Sequence, residues 1–174
     1  MSRDRGLWPV PTRREALWVH WLAWRNELPW RRPTRVEDGI WVGGVPTERR
    51  WRWLRARGVS RFVSVLGEVP PPTWLAEADG ALWLRVPDRT APCGEDLQQA
   101  VSFIDDSLSH ARALLLFCGS GVGRAPTTYL AWRVRSAADL DPEMVRLQGL
   151  RWITSPTGAQ QAALRSWITQ RGLR

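Results

Sequence analysis

The 174-residue sequence has no lysine, only two cysteines, two histidines and a single tyrosine. Two cysteines, Cys93 and Cys118, are too few for a disulfide framework, and no Cys/His cluster has the spacing of a zinc site. These scarcities exclude a disulfide-stabilised or zinc-dependent domain. They indicate a reducing compartment and predict a cytoplasmic protein with no metal and no cofactor.

Long apolar runs are also missing. The longest, residues 16–24, is interrupted by His20 and followed by Arg25, Asn26 and Glu27, without a small-residue cleavage site. It is too short to span a bilayer and makes a poor signal peptide. The remaining composition, 44% hydrophobic and 24% charged, is ordinary for one globular domain.

All 25 basic residues are arginines, and the net charge is +8. Arginine at every basic position is the pattern expected of a GC-rich bacterial genome, and we prefer this interpretation to nucleic-acid binding. The charge still favours acidic partners such as phosphoproteins, anionic lipids or polyphosphates.

Short apolar strands alternate with helical stretches from Val36 onward, which predicts an α/β fold with helices covering a sheet. The predicted strands are residues 39–42, 61–66, 81–86 and 113–117. The predicted helices are residues 46–57, 94–111, 125 to about 137, one opening at Asp141-Pro142, and one running from Ser155-Pro156 to about Gly172. We expect a single domain with a mainly parallel central sheet of four or five strands.

The segment CGSGVGR, from Cys118 to Arg124, lies between the apolar strand ALLLF and a helix. Its three glycines allow successive N–H groups to turn toward one anion at the helix N-terminus. The loop Gly119, Ser120, Gly121, Val122 and Gly123 is therefore predicted to bind phosphate. The positive end of the helix dipole also favours the Cys118 thiolate, which is the form that attacks phosphorus. Arg124 offers a planar guanidinium that can bind two phosphate oxygens.

Each of these residues also has a plainer interpretation. A buried cysteine is more often a packing residue, glycines serve turns, and a lone arginine is usually a surface charge. The conjunction favours function, because cysteine, alternate glycines and an arginine six residues later occur in the right order of elements.

The segment LLLFCGSGVGRAPTTYLAW resembles the Cys-x5-Arg phosphatases, specifically the dual-specificity branch of the protein tyrosine phosphatase superfamily. VEDGIWVGGVP and LRARGVSRFVSVLGE are similar to that family's opening strand and turn, and to its next helix and strand. The resemblance covers residue 29 to the last helix. It implies hydrolysis of phosphate monoesters through a cysteinyl-phosphate intermediate, without metal, with the phosphate loop at the carboxyl end of a central strand.

The resemblance also implies a general acid on an upstream loop, and VPDRTAP places Asp88 there. Asp88 would protonate the leaving oxygen and then act as base toward water. We prefer Asp88 to Asp96, which begins a helix. Gln160 or Gln161, near the end of the chain, resembles a glutamine that positions hydrolytic water, although two polar residues on a helix are an equally good interpretation.

Two positions depart from the family pattern. Phe117 stands where the family usually has histidine, and Ala125 stands where it usually has serine or threonine. Low turnover is therefore expected, and a catalytically weak phosphate-binding pseudophosphatase is one rival. A rhodanese-type sulfur transferase is another, but those proteins resemble a shorter cysteine loop.

Substrate identity is open between a phosphorylated protein, a small phosphate ester, and a lipid or inositol phosphate. The loop interior carries no charge, which favours phosphotyrosine or phosphoserine/threonine over highly phosphorylated inositides. PWRRPTRVEDGIWVGGVP resembles the start of family members that act on lipid phosphates.

The amino-terminal region, residues 1–28, is predicted to be a loose tail over residues 1–14 followed by a tryptophan-rich helix, with the catalytic domain over residues 29–174. Trp18, Trp21 and Trp24 recur every three residues beside arginines, which suits a helix at a membrane interface. We prefer the alternative in which these tryptophans pack over the catalytic domain as a lid.

Overall fold

The computed structural model of the chain describes residues 8–136 and 139–172. Five strands form one sheet: β1 (Thr34–Glu37), β2 (Ile40–Gly44), β3 (Val59–Ser64), β4 (Gly80–Trp83) and β5 (Ala113–Cys118). The helices are α1 (Arg13–Arg25), α2 (Glu48–Arg55), α3 (Gly94–Ser109), α4 (Arg124–Val134), α5 (Leu140–Leu150) and α6 (Gly158–Gln170). Short 3-10 turns occupy Pro29–Arg31 and Thr73–Leu75.

The strand order is β1-β2-β5-β3-β4, with β5 in the centre. Strands β2, β5, β3 and β4 run parallel, and only β1 is antiparallel to its neighbour β2. The predicted α/β domain with a mainly parallel sheet of four or five strands is thus confirmed. Cys118 is the last residue of the central strand.

Strand β1 was not predicted. It joins β2 through the dipeptide Asp38-Gly39, and Gly39 has a positive φ of 77°. Such a dipeptide between two strands is a strong hairpin signal. Hydrophobic alternation does not reveal this short edge strand, because Val36 is the one apolar residue among its four.

The two faces of the sheet bury different helices. In β5, Leu114, Leu116 and Cys118 face a core that includes residues of α3, α4, α5 and α6. Leu115 and Phe117 face the other core, which includes residues of α1 and α2. This alternation follows from the two-residue period of a strand. It places the side chains of Cys118 and Phe117 on opposite sides of the sheet.

Several predicted boundaries shift by two residues or more. The strand predicted at 61–66 is Val59–Ser64, and the strand predicted at 81–86 ends at Trp83. Helix α6 begins at Gly158 because the Thr157 side chain caps it. Helix α4 ends at Val134, whereas its predicted end near Ala137 lies outside the described residues. Helix α1 includes residues 13 and 14 of the predicted tail, and residues 1–7 of that tail are likewise not described.

Candidate active site

Cys118 ends β5 at the carboxyl edge of the parallel strands, and helix α4 begins six residues later at Arg124. The thiol is buried, with 2% of the residue exposed. Ligands bind in α/β sheets beyond the carboxyl ends of the central strands, where helix N-termini converge. The nucleophile and the phosphate loop predicted from the sequence both lie at this position.

The loop from Gly119 to Gly123 directs its carbonyl groups outward. The carbonyl oxygens of Gly119, Gly121 and Val122 accept hydrogen bonds from groups outside the loop, at 2.9 Å, 3.1 Å and 2.8 Å. Within the described residues, none of the N–H groups of residues 119–123 has a protein acceptor. An arc of free donors above a helix N-terminus is the arrangement that binds a phosphate group.

Asn26, just after α1, holds one side of this loop. Its amide donates to the carbonyl oxygens of Gly119, at 2.9 Å, and Val45, at 3.1 Å. The residue is buried, and its contact with the loop spans 93 positions of sequence. Sequence reasoning missed Asn26 because no local pattern connects it to the loop.

Arg151, which follows α5, holds the other side. Its Nε donates to the Gly121 carbonyl at 3.1 Å, and its remaining nitrogens donate to the carbonyls of Arg31 and Arg32 and to the hydroxyl of Thr34. Only 3% of the residue is exposed, and no carboxylate pairs with it among the described residues. Burial lowers the pKa of Arg151 to about 10, which leaves it cationic at neutral pH.

Arg124 is also buried, with 4% exposed, but it has two carboxylate partners. Its Nη1 donates to both oxygens of Glu68, at 2.8 and 3.0 Å, and to the Val86 carbonyl at 2.7 Å. Its Nη2 donates to Asp88 at 2.9 Å. The guanidinium is therefore fixed through its two Nη atoms, and its Nε carries no protein bond in the described part of the chain.

Glu68 was not recognised as a site residue. It follows β3, within the segment LGE, and reaches Arg124 across 56 positions of sequence. A carboxylate in the loop that follows a parallel strand was a usable signal, since such residues collect at the same edge of the sheet as Cys118.

Asp88 and Asp96 have different surroundings. Asp96 lies in the first turn of α3, where its carboxylate accepts from the Cys93 N–H at 3.0 Å and completes a capping box. Asp88 lies beside Arg124, and 69% of its side chain is exposed. Asp88 is thus an exposed carboxylate beside Arg124, while Asp96 and Cys93 start a helix.

Gln160 is buried at the start of α6 and links two parts of the site. Its Oε1 accepts from the Thr157 N–H at 2.9 Å, and its Nε2 donates to the Thr90 carbonyl at 2.8 Å. The second bond ties α6 to the loop that carries Asp88. Gln161 donates to the Pro156 carbonyl at 3.0 Å, within its own helix start.

The two departures from the family pattern are both buried. Phe117 packs against Phe62, with ring centroids 5.6 Å apart, on the sheet face away from Cys118. Ala125 is fully buried in the first turn of α4. The hydroxyls of Thr127 and Thr128 donate to the carbonyls of Gly123 and Arg124, at 2.9 and 3.0 Å, so they do not replace the hydroxyl missing at Ala125.

The tryptophans of α1 do not form a lid. The helix packs on the domain through Val19, Leu22 and Ala23. Trp18, Trp21 and Trp24 are instead exposed. The preferred expectation of tryptophans packed over the catalytic domain was therefore wrong.

Metal-binding clusters and membrane-spanning helices are both absent from the described residues. Within residues 8–136 and 139–172, no group of three or more His, Cys, Asp or Glu side chains is arranged to hold a metal ion. None of the helices in those ranges is long and apolar enough to cross a membrane.

Three solved structures with a similar fold are phosphatases or phosphatase-like proteins by name. Tk-PTP in its active form is 22% identical, with a TM-score of 0.72 over 81% of this chain and 99% of that chain. Human tyrosine phosphatase-like serine/threonine/tyrosine-interacting protein is 15% identical, with a TM-score of 0.74 over 80% and 97%. PTPMT1 in complex with PI(5)P is 15% identical, with a TM-score of 0.71 over 80% and 96%. No curated protein matches the sequence significantly.

A family model described as "DSP-PTPase phosphatase fused to NAD+ Kinase" matches residues 29–166, most of the chain. This match defines a cysteine-dependent phosphatase of the dual-specificity branch, as the sequence predicted. The chain belongs to this family.

Proposed function

We propose that the protein hydrolyses phosphate monoesters of protein side chains, phosphotyrosine or phosphoserine/threonine, through a cysteinyl-phosphate on Cys118. The observation that carries this proposal is the convergence of three groups: the buried thiol, the arc of free N–H groups after it, and the Arg124–Asp88 pair at 2.9 Å. The uncharged loop interior favours a single phosphate group over a densely charged headgroup.

In the first step, the phosphate group accepts hydrogen bonds from the N–H groups of the loop and from the free Nε of Arg124. The Cys118 thiolate attacks phosphorus, and the ester oxygen leaves with the proton of Asp88. The bound phosphate competes with Asp88 for Arg124 Nη2, which releases the exposed carboxyl group toward the leaving oxygen.

In the second step, a water molecule attacks the phosphocysteine. Asp88 takes the proton from this water, the S–P bond breaks, and the thiolate leaves. Ala125 offers no hydroxyl to stabilise that thiolate, and the nearby threonine hydroxyls are committed to carbonyls. Hydrolysis of the phosphocysteine is therefore the slower step, because its activation free energy is higher than that of phosphocysteine formation.

The primary test is hydrolysis of an aryl phosphate in the presence of a chelator, with and without vanadate. We expect vanadate-sensitive turnover that disappears in Cys118→Ser, while phosphate binding measured by calorimetry persists. Turnover of Cys118→Ser near the wild-type rate would reject the nucleophile assignment. Phosphate binding without turnover in the wild type would instead identify a pseudophosphatase.

Rapid mixing tests the order of the two steps. A burst of phenol close to the enzyme concentration, followed by a slow steady state, is expected with nitrophenyl phosphate. Ala125→Ser should raise the steady rate roughly tenfold and reduce the burst, since a hydrogen bond to a charged group contributes about 1.5 kcal/mol or more. A wild type without a burst, combined with no effect of Ala125→Ser, would reject this account of the second step.

A lipid phosphate ester is the second candidate substrate. It is supported by exposed tryptophans and arginines on α1, whose carboxyl end adjoins the phosphate loop through Asn26. Comparing kcat/KM for a phosphotyrosyl peptide, a phosphoseryl peptide and a phosphatidylinositol monophosphate in vesicles decides between the classes. A preference of at least about tenfold for the lipid would replace the protein substrate.

A further inference from the structure

Helix α1 is apolar on two opposite faces. One face is buried through Val19, Leu22 and Ala23. The other carries Leu17, Trp21 and Trp24, spaced by four and three residues, which are 63%, 51% and 72% exposed. Such spacing places them in one stripe along the helix. A surface helix ordinarily presents polar residues to water at these positions, but here the only polar cover noted is the Arg25 guanidinium, 4.8 Å from the Trp21 ring centre within the described residues.

Uncompensated cations surround this stripe. Arg13 and Arg14 lie within the same arc of about 100° as the three apolar residues, and both are exposed. Arg25, Arg31 and Arg32 follow at the carboxyl end of the helix. No ion pair involves any of these five arginines within the described residues.

The two acidic residues of this region, Glu15 and Glu27, bind other groups and do not pair with these arginines. Glu15 completes the capping box of α1 with Thr12. Glu27 is bound by the side chains of Arg49, Arg50 and Thr47. The face of α1 therefore presents indole rings and a net positive charge together.

We propose that this face, defined by Arg13, Arg14, Leu17, Trp21 and Trp24, docks on an anionic phospholipid bilayer with α1 lying in the headgroup region. Indole rings favour the membrane interface, because one edge is apolar and the N–H remains hydrated. Arginines at the same depth are attracted to anionic lipids. The combination is that of an interfacial helix, and the unpaired cations favour an anionic lipid surface over an uncharged protein groove.

Docking at this face would bring the phosphate loop to the membrane surface. Asn26 follows the last turn of α1 and bonds the Gly119 carbonyl at 2.9 Å. Trp30 continues the exposed apolar surface beyond the helix, in the turn whose Arg31 carbonyl accepts from Arg151. The carboxyl end of the helix is thus joined to the phosphate loop on two sides, so a docked α1 would hold that loop close to the lipid headgroups.

Sedimentation with sucrose-loaded vesicles tests this proposal without any substrate, so its failure is separate from a failure of the proposed reaction. The full chain should bind vesicles containing phosphatidylglycerol, bind pure phosphatidylcholine weakly, and be released by added salt. The double variant Trp21→Ser/Trp24→Ser should bind at least about tenfold more weakly. Arg13→Gln/Arg14→Gln should lose roughly 30-fold, since each arginine contributes about 1 kcal/mol near an anionic surface.

Matched controls remove an exposed aliphatic residue and an exposed arginine from other helices. Val145→Ser on α5 and Arg165→Gln on α6 should bind vesicles like the wild type. Thermal melting establishes that each variant is folded. Equal binding to neutral and anionic vesicles, or unchanged binding by either double variant, would overturn the proposal. A dimer that Trp21→Ser/Trp24→Ser dissociates would also overturn it, by assigning the face to a second copy.

Discussion

Arg124 and Arg151 are buried to a similar extent beside one phosphate loop, but their partners differ. Arg124 donates to the carboxylates of Glu68 and Asp88, whereas Arg151 donates to neutral oxygens only. The charge of Arg124 is therefore balanced before a phosphate arrives, and the charge of Arg151 is not. Arg124 thus gives up a carboxylate partner when the phosphate group binds. Arg151 keeps its contacts and supplies a constant positive charge behind the loop.

Arg124→Lys should have the largest effect, because an ammonium group cannot hold Glu68 and Asp88 and still present two donors to phosphate. We expect kcat/KM for nitrophenyl phosphate to fall by about 10²- to 10³-fold, with weaker phosphate binding measured by calorimetry. Unchanged kinetics would show that Arg124 does not bind the substrate, and the proposed difference between Arg124 and Arg151 would then be wrong.

Asp88→Asn tests the carboxylate that is proposed to leave Arg124 when phosphate binds. Phenyl phosphate, with its poor leaving group, should be slowed by about 10²-fold, and nitrophenyl phosphate far less. Equal slowing of both substrates would indicate a structural role. Asp96→Asn is the control, because that carboxylate caps α3 and its loss should lower the melting temperature without a leaving-group effect.

Arg151→Met tests the fixed charge. Removing a cation that has no carboxylate partner makes the Cys118 thiolate less favourable, so alkylation of Cys118 by iodoacetamide at neutral pH should slow by roughly tenfold. Arg151→Lys should recover part of this rate. Arg133→Met removes an arginine that is paired with Glu143 in the α4–α5 contact, and it should cost stability while leaving alkylation unchanged. Normal alkylation in a folded Arg151→Met would contradict the assigned role.

Glu68→Gln should have the smallest effect and the most specific one. With one carboxylate neutralised, Arg124 holds an anion more strongly, so inhibition by inorganic phosphate should tighten by about three- to fivefold. The maximal rate should decline slightly because the guanidinium is less well oriented. Weaker inhibition by phosphate would show that orientation by Glu68 outweighs its charge.

Residues that act through local sequence were the predictable part of the fold and site. The strand, glycines and helix around Cys118 form a contiguous pattern, and the parallel sheet followed from alternating elements. Asn26, Glu68 and Arg151 could not be found in this way, because they meet the loop across 93, 56 and 30 positions. Their placement depends on strand order and register, which hydrophobic periodicity does not specify.

Helix α1 illustrates a different limit. Its apolar residues occupy almost every side, so their period did not determine which of them face the domain. Aliphatic side chains with Asn26 at the end form the buried side, and the indoles remain in water. The sequence signalled an unusual helix, but packing against the rest of the chain decided its orientation.

The tight seating of the phosphate loop limits how this enzyme can be re-engineered. A Cβ atom at Gly121, where φ is 68°, would lie 2.2 Å from the backbone carbon of Gly43, and one at Gly123 would lie 2.6 Å from Gln160 Oε1. Gly121 is therefore closed to other residues, a side chain at Gly123 requires Gln160 to move, and Ser120 and Val122 are partly exposed and open to change. A mutant library aimed at new substrates gains little from randomising Gly121. Its productive positions are Ser120, Val122 and the surrounding surface contributed by α1 and the Asp88 loop.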